Sequence, residues 1–315
     1  MKKHLWTVCF SVMLVAFTIY FTLDTFVLRE SYGSAAETNT AAFSVADSAQ
    51  EQTLSGVKDS MTGVSVTLAA AAANADYADE NVSVTLTEYY ENGTKIYVAD
   101  VVLSSAQYLK TAFAENTYGR HITATTSSIA AANGAVFAVN GDYYGAQERG
   151  FVIRNGVVYR SSARGAEVLC IYTDGTMEVV SDLDYTADEL VQKGVWQAFT
   201  FGPGLVEDGE ISVGVNDEVG KAMVSNPRTA IGLIDANHFV FVVSDGRTDE
   251  SEGLTLYELA AFMQRLGVTT AYNLDGGGSS TMYFNGQVIN NPTTGGRIKE
   301  RGVSDIVYIG NAVEA

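Results

Sequence analysis

The sequence predicts an α+β fold built on a mixed, largely antiparallel sheet with a few packed helices, preceded by one N-terminal transmembrane helix. Three observations carry that prediction. Short β-type runs separated by Asn-Gly and Asp-Gly turns recur from Val82 to Ile309. Capping-box spacings that lead into helical apolar periodicity are few. An uncharged, mostly apolar run from Leu5 to Leu23 follows Lys2 and Lys3 at the amino terminus. Apolar residues make up 47% of the 315 and charged residues 18%, which suits a globular body with a sizeable core.

Taken as a helix, the nineteen residues from Leu5 to Leu23 rise about 28 Å, close to the thickness of a bilayer's hydrocarbon layer. Two lysines ahead of the run place the first residues in the cytoplasm and the remainder outside. A cleaved signal peptide has a shorter apolar region with its small-residue site directly behind, whereas here Ser34-Ala35-Ala36 comes well after the run. Residues 1–28 therefore read as a cytoplasmic tail and signal-anchor helix. The expected location is the cell membrane, single-pass, with the catalytic domain on the extracellular face. Cys9 in the span and Cys170 in the exported part cannot pair, and Cys170 sits in a strand-like run as a packing thiol.

Residues 29–81 are acidic and rich in Ala, Ser and Thr, with no sustained periodicity, and read as a stalk. Only the alanine tract 69–73 suggests a short helix there. The body spans residues 82–315. Val82 to Tyr90 alternates, Asn92-Gly93 turns and Lys95 to Leu103 returns, which marks a β-hairpin. Ser104-Ser-Ala-Gln107 has capping-box spacing and predicts a helix to about Glu115. Ala135 to Val139 is a short buried strand, followed by strands at 150–153, 157–159, 168–172 and 177–180. A short helix starts at Thr186, and strands at 230–234 and 239–243 flank a turn. Thr255-Leu-Tyr-Glu258 caps a helix with apolar Leu256, Leu259, Ala260, Met263 and Leu266 at helical spacing. The strand from Val268, a hairpin turning at Asn285-Gly286 and a last strand, 303–309, complete the chain.

Three strand ends carry polar groups and glycine: Asn140-Gly-Asp142, Asp245-Gly-Arg247 and Asn273-Leu-Asp275-Gly276-Gly277-Gly278-Ser279-Ser280. Each also fits an ordinary turn. On one sheet edge they form a cleft with three carboxylates, joined by Arg228 and Arg301. Paired carboxylates suit glycoside chemistry, in which one moves a proton while another stabilises an oxocarbenium-like state. Arginines grip phosphate through parallel hydrogen bonds, and a glycine turn can point N–H groups at the same anion. The implied substrate is a sugar phosphate or anionic glycan. Three carboxylates also suit a divalent cation, so that cofactor stays open and no metal ligands are assigned. The formal charge of −18 argues against nucleic acid as a partner. No Gly-x-Ser-x-Gly elbow or P-loop ending occurs, and three histidines are too few for a histidine-rich zinc site.

Six stretches in one order carry a resemblance: Asn140-Gly-Asp-Tyr-Tyr144, Phe201-Gly-Pro-Gly-Leu205, Asn226-Pro-Arg-Thr-Ala-Ile-Gly232, Asp245-Gly-Arg247, Asn273 to Met282 and Arg301-Gly-Val-Ser-Asp305. Together they resemble the motif set of the phosphodiester glycosidase family, on its bacterial, exopolysaccharide-related side, over about 82–309. The resemblance implies a surface hydrolase that cleaves sugar-1-phosphodiesters of envelope or exopolysaccharide glycans at the anomeric carbon. It places Asp275, Asp142 and Asp245 in catalysis. It also implies that Asn140, Arg228, Arg247, Gly276, Gly277, Gly278, Ser279, Ser280 and Arg301 bind substrate. Two other readings stay open: a non-catalytic protein that binds or assembles cell-wall polymers, and a metal-dependent phosphodiesterase cutting at phosphorus.

Overall fold

The computed structural model describes residues 2–26, 29–34, 75–218 and 225–310. Within them the expectation of an α+β fold on a mixed sheet is corrected: the chain is mostly β-sheet, and every described strand pairing is antiparallel. The helix expected after Ser104 is a single 3-10 turn, Ala106–Tyr108, capped by the Ser105 hydroxyl. The next residues form the strand Leu109–Phe113, because Leu109, Thr111 and Phe113 alternate inward and pair with Asp305–Gly310. Long-range pairing outweighs the local capping signal.

The expected membrane-spanning helix is also corrected. A helix runs from Lys2 to Phe26, but its continuous described side chains extend only from Cys9 to Tyr20. Among the described residues no helix is long and apolar enough to cross a membrane, a task that takes about 20 apolar residues. The anchor, and the membrane as a partner through it, therefore find no support. Of the segment read as a stalk, residues 35–74, including the alanine tract, lie outside the described residues. Glu30–Ser34 pairs with Thr117–Arg120, and Ala75–Ala78 pairs with Val82–Glu91.

An eight-stranded sheet carries one wall of the site. Its order is Glu210–Ile211, Gly204–Glu207, Thr270–Asn273, Arg228–Asp235, His238–Ser244, Thr94–Leu103, Val82–Glu91 and Ala75–Ala78. The hairpin closes at Asn92 and Gly93, both at positive φ, as a two-residue turn requires. Side chains alternate along each strand, so Tyr97, Ala99, Val101, Ile231, Phe239 and Phe241 enter the central core. Ile96, Val98, Ala230, Val240 and Val242 face the other way, where the helix Leu256–Arg265 covers them with Leu256, Leu259, Ala260 and Met263.

A five-stranded sheet packs on the central core, in the order Gln287–Val288, Met282–Phe284, Ala135–Asn140, Asp305–Gly310 and Leu109–Phe113. Phe137, Val139, Met282, Phe284, Val307 and Ile309 supply its face, and the Phe137 and Phe241 rings meet with centroids 5.0 Å apart. A second five-stranded sheet contains Val152–Arg154, Glu167–Tyr172 and Val195–Phe199, with a core of its own closed by the helix Ala187–Gln192. Cys170 lies in that core, where burial pushes its thiol up to about 12.

Topology then fixes the site. The chain leaves the eight-stranded sheet at Asn273 and joins the first five-stranded sheet at Met282, so residues 274–281 bridge the two layers. Antiparallel register sets Asn140 beside Ile306, Val139 beside Met282 and Asn273 beside Ala230. The polar strand ends meet at that crossing. Phe241→Ala should destabilise the fold by about 3 to 5 kcal/mol. Urea unfolding with an unchanged m-value reads this directly, and a loss below about 1 kcal/mol would contradict the packing of the two sheets through Phe241.

Candidate active site

Asn140 locks the crossing together from a fully buried position. Its Nδ2 donates to the carbonyl oxygens of Asp275 at 2.6 Å and Gly141 at 3.2 Å. Its Oδ1 accepts from Thr229 Oγ1 at 2.8 Å and from the Thr281 N–H at 3.3 Å. The side chain predicted to bind substrate is thus occupied in joining three chain segments.

The glycine-rich bridge is wound tightly against neighbouring strands. Gly277 has φ +61° and donates its N–H to Pro227 O at 2.8 Å, and a Cβ there would sit 2.8 Å from Arg247 Nη2. The N–H groups of Ser279 and Ser280 close on the carbonyls of Gly276 and Gly277, both at 3.2 Å. Gly278 O accepts from the Arg301 N–H at 3.2 Å. Ser280 is fully buried. The N–H groups of Gly277, Ser279 and Ser280 are thus engaged within the protein.

Asp275 faces outward from this bridge. Its Oδ2 accepts from Ser279 Oγ at 2.6 Å and from Arg301 Nη2 at 2.8 Å. Arg301 also donates from Nε and Nη2 to Ser279 Oγ, at 2.9 and 2.6 Å. The Asp275 side chain is 12% exposed and that of Arg301 39%. Burial pushes the Asp275 carboxyl above the ordinary carboxylate value, and the Arg301 guanidinium pulls it partly back.

Behind Asp275 lies a buried trio. Asp142 accepts the N–H groups of Tyr144 and Thr200, each at 3.0 Å, and its Oδ2 lies 3.0 Å from Arg154 Nη2. Arg154 donates from Nε to Asp305 Oδ2 at 2.8 Å, and from Nη1 to the carbonyls of Ile153, at 3.1 Å, and Ala198. Its guanidinium stands over the Phe199 ring, 4.3 Å from the centroid. A Cβ on Gly141 would collide with Asp305 Oδ1, so glycine there lets the carboxyl lie against the strand end. Burial pushes Asp305 up to about 7, against the pull of Arg154 and with the Asp142 charge adding to the rise.

A cleft of about 170 Å³ opens here, lined by Asp142, Tyr143, Asp275, Arg301, His121 and Ser304 among others. Asp142, Asp275 and Arg301 are therefore brought together as expected, although the carboxylate of Asp142 is wholly buried. Asp245 is elsewhere: Oδ1 accepts from the Asn291 N–H at 2.8 Å and Asn290 Nδ2 at 3.2 Å, and Oδ2 from Asn291 Nδ2 at 3.1 Å and Tyr97 OH at 3.3 Å. Arg228 is buried, donating to Leu254 O at 2.9 Å and pairing with Glu218 at 3.4 Å. Arg247 lies on Gly277 and donates to Asn226 Oδ1 at 3.2 and 2.8 Å. The three aspartates do not form one cation site, and among the described residues no group of three or more His, Cys, Asp or Glu is placed to hold a metal ion.

Sequence reasoning missed Arg154, Asp305 and His121 as site residues. Asp305 had a signal, since it is a carboxylate at the start of an apolar strand, the mirror of Asp142 and Asp275 behind theirs. Arg154 had none: Arg-Asn-Gly reads as a hairpin turn whether or not the arginine is buried.

Residues 133–310 match the family model described as phosphodiester glycosidase. The chain belongs to the phosphodiester glycosidase family. All five charged residues of the site, Asp142, Arg154, Asp275, Arg301 and Asp305, lie inside the matched region. The chain is 34% identical over 186 residues to the SPbeta prophage-derived uncharacterized protein YomE of Bacillus subtilis, covering 58% of this chain and 28% of that protein. It is 30% identical over 194 residues to the N-acetylglucosamine-1-phosphodiester alpha-N-acetylglucosaminidase of Bos taurus, covering 54% and 35%. The chain thus spans about a third or less of these relatives. Its fold is shared with the catalytic domain of the zebrafish N-acetylglucosamine-1-phosphodiester alpha-N-acetylglucosaminidase auto-inhibited by its pro-peptide, at TM-score 0.57 and 20% identity over 73% of this chain and 83% of that one. A hypothetical protein from Synechocystis aligns at TM-score 0.52 and 14% identity, over 76% and 64%.

The trio makes a pH prediction. Native Asp305 keeps its proton up to about pH 7, while an unfolded aspartate releases it near about 3.9. The stabilisation from this group is present in full below about pH 4 and is lost as pH rises toward 7, with a slope of at most about 1.4 kcal/mol per pH unit. Asp305→Asn should flatten the stability-versus-pH curve in that window, measured by urea unfolding. A slope identical to that of the parent would contradict the assignment.

Proposed function

We propose that this protein hydrolyses a sugar-1-phosphodiester at its anomeric carbon, releasing a free sugar and a phosphate monoester. The observation that carries this reading is a cleft lined by Asp275, whose mostly buried carboxyl keeps a small accessible face and is held by the partly exposed Arg301. A phosphate monoester leaves readily, so the reaction does not need the second, acid carboxyl of an ordinary glycosidase. The buried Asp142 carboxylate fits that economy.

In the step itself, a water oxygen bonds to the anomeric carbon as the bond from that carbon to the phosphate oxygen breaks. The bonding pair goes to the phosphate. Asp275 takes the proton from the attacking water, and its raised proton affinity makes it the stronger base. Arg301 sends Nε and Nη2 to the protein, and its remaining N–H donors stabilise the charge that develops on the leaving phosphate. N-acetylglucosamine is the first sugar to test, because the mammalian relatives are named for it. The reading extends to sugar phosphates of the cell envelope or of an exopolysaccharide, with the domain on the extracellular face. The charge of −18 supports a displayed glycan over nucleic acid as the partner.

Incubation of the full chain with a panel of pyranose 1-phosphodiesters should yield free sugar and phosphate monoester in equal amounts. Asp275→Asn should lower kcat by about 10² to 10⁴ with the near-ultraviolet circular dichroism unchanged. Parent-like turnover in that variant would remove Asp275 from the chemistry.

A further inference from the structure

The fold treats two adjacent tyrosines in opposite ways. Tyr144 is 2% exposed, stacks on Tyr118 at 5.3 Å and 19°, and meets Phe113 edge-on at 5.4 Å. It belongs to the aromatic core behind the site. Tyr143 is 45% exposed and lines the cleft beside Asp142, with Asp275 and Arg301 among the other walls. Its backbone is held on both sides: Asp142 Oδ1 accepts the Tyr144 N–H at 3.0 Å, and Tyr143 O accepts the Ala146 N–H at 3.2 Å. Tyr143 is the N-cap of the 3-10 turn Tyr144–Ala146, so its backbone is held at the lip of the cleft that its side chain lines.

A lone exposed tyrosine on an open surface needs no explanation. One lining a polar cleft beside a candidate catalytic carboxyl offers what the other walls lack, a broad apolar face with a polar tip. A pyranose presents a matching face of C–H groups. The cleft, about 170 Å³, holds on the order of six water volumes, which is room for one sugar ring. With the phosphate drawn to Arg301, the ring attached to the reacting carbon needs a wall of its own.

We infer that Tyr143 is the sugar platform of this cleft, packing against the C–H face of a single pyranose and so setting which sugar 1-phosphates are accepted. The inference rests on the reading of the cleft as a sugar-phosphate site. Tyr143 acts through its ring face, so the hydroxyl is dispensable and phosphate binding is independent of it.

The test is calorimetric titration of the full chain with the 1-phosphates of glucose, galactose, mannose and N-acetylglucosamine, and with inorganic phosphate. The parent should bind at least one sugar phosphate more tightly than inorganic phosphate. Tyr143→Ala should weaken that binding by about tenfold and leave inorganic phosphate unchanged. Tyr143→Phe should match the parent, and in hydrolysis the loss in the alanine variant should fall on KM. The platform is overturned if no sugar phosphate outcompetes inorganic phosphate, if the alanine variant keeps the preference, or if phenylalanine loses as much as alanine. Tight sugar-phosphate binding that depends on Tyr143, with no hydrolysis, would leave the platform standing and remove the catalytic reading. Hydrolysis with an unchanged KM in Tyr143→Ala would do the reverse.

Discussion

Arg154 is the group on which the rest of the site depends. It comes from one sheet and pairs with Asp142, two residues past the end of one strand of another, and Asp305, which begins the adjacent strand. A charge so deeply buried is costly unless it is paired and hydrogen-bonded, and removing one partner from such a pair typically costs about 3 to 5 kcal/mol. Here the single positive charge faces two carboxyls, so the trio carries an excess negative charge unless one of them holds a proton. Asp305, with an oxygen that no hydrogen bond reaches and a carboxyl pushed up to about 7, is the group suited to hold it. The trio fixes the strand ends, and the strand ends fix the cleft.

From that foundation the division of labour between carboxylates follows. Asp142 is consumed by two amides and an arginine, and Asp245 by Asn290, Asn291 and Tyr97. Asp275 alone of the three predicted catalytic residues has a carboxyl open to the cleft and braced by Ser279 and Arg301. It sits just past the end of the strand Thr270–Asn273, and the bridge then turns at Gly277, where φ is positive. Chemistry with a good leaving group is the kind that one such carboxyl can serve.

Much of this organisation is legible in the sequence wherever the cause is local. The Asn92-Gly93 turn formed as read, and so did the capping boxes at Thr186 with Glu189 and Thr255 with Glu258, because each depends on atoms within a few residues. Features set by distant partners were not legible. Leu109–Phe113 is a strand because residues 305–310 lie beside it, and the short helix Thr126–Ala132 has an Ala and Ser composition with little periodicity to announce it. The same holds for chemistry. Arg228 and Arg247 carry the right group for phosphate, yet Leu254, Glu218 and Asn226 claim them, and no spacing in the chain reports that. Asp275 and Arg301 were legible as residues, while their contact, across 26 positions, belongs to the fold.

In the proposed reaction Asp275 directs water to carbon and not to phosphorus. Hydrolysis of a sugar-1-phosphodiester in oxygen-18 water, followed by mass spectrometry of both products, tests it most directly. Label in the released sugar, with none in the phosphate monoester, is the predicted result. Label in the phosphate would contradict it, because the bond broken would then be the one at phosphorus.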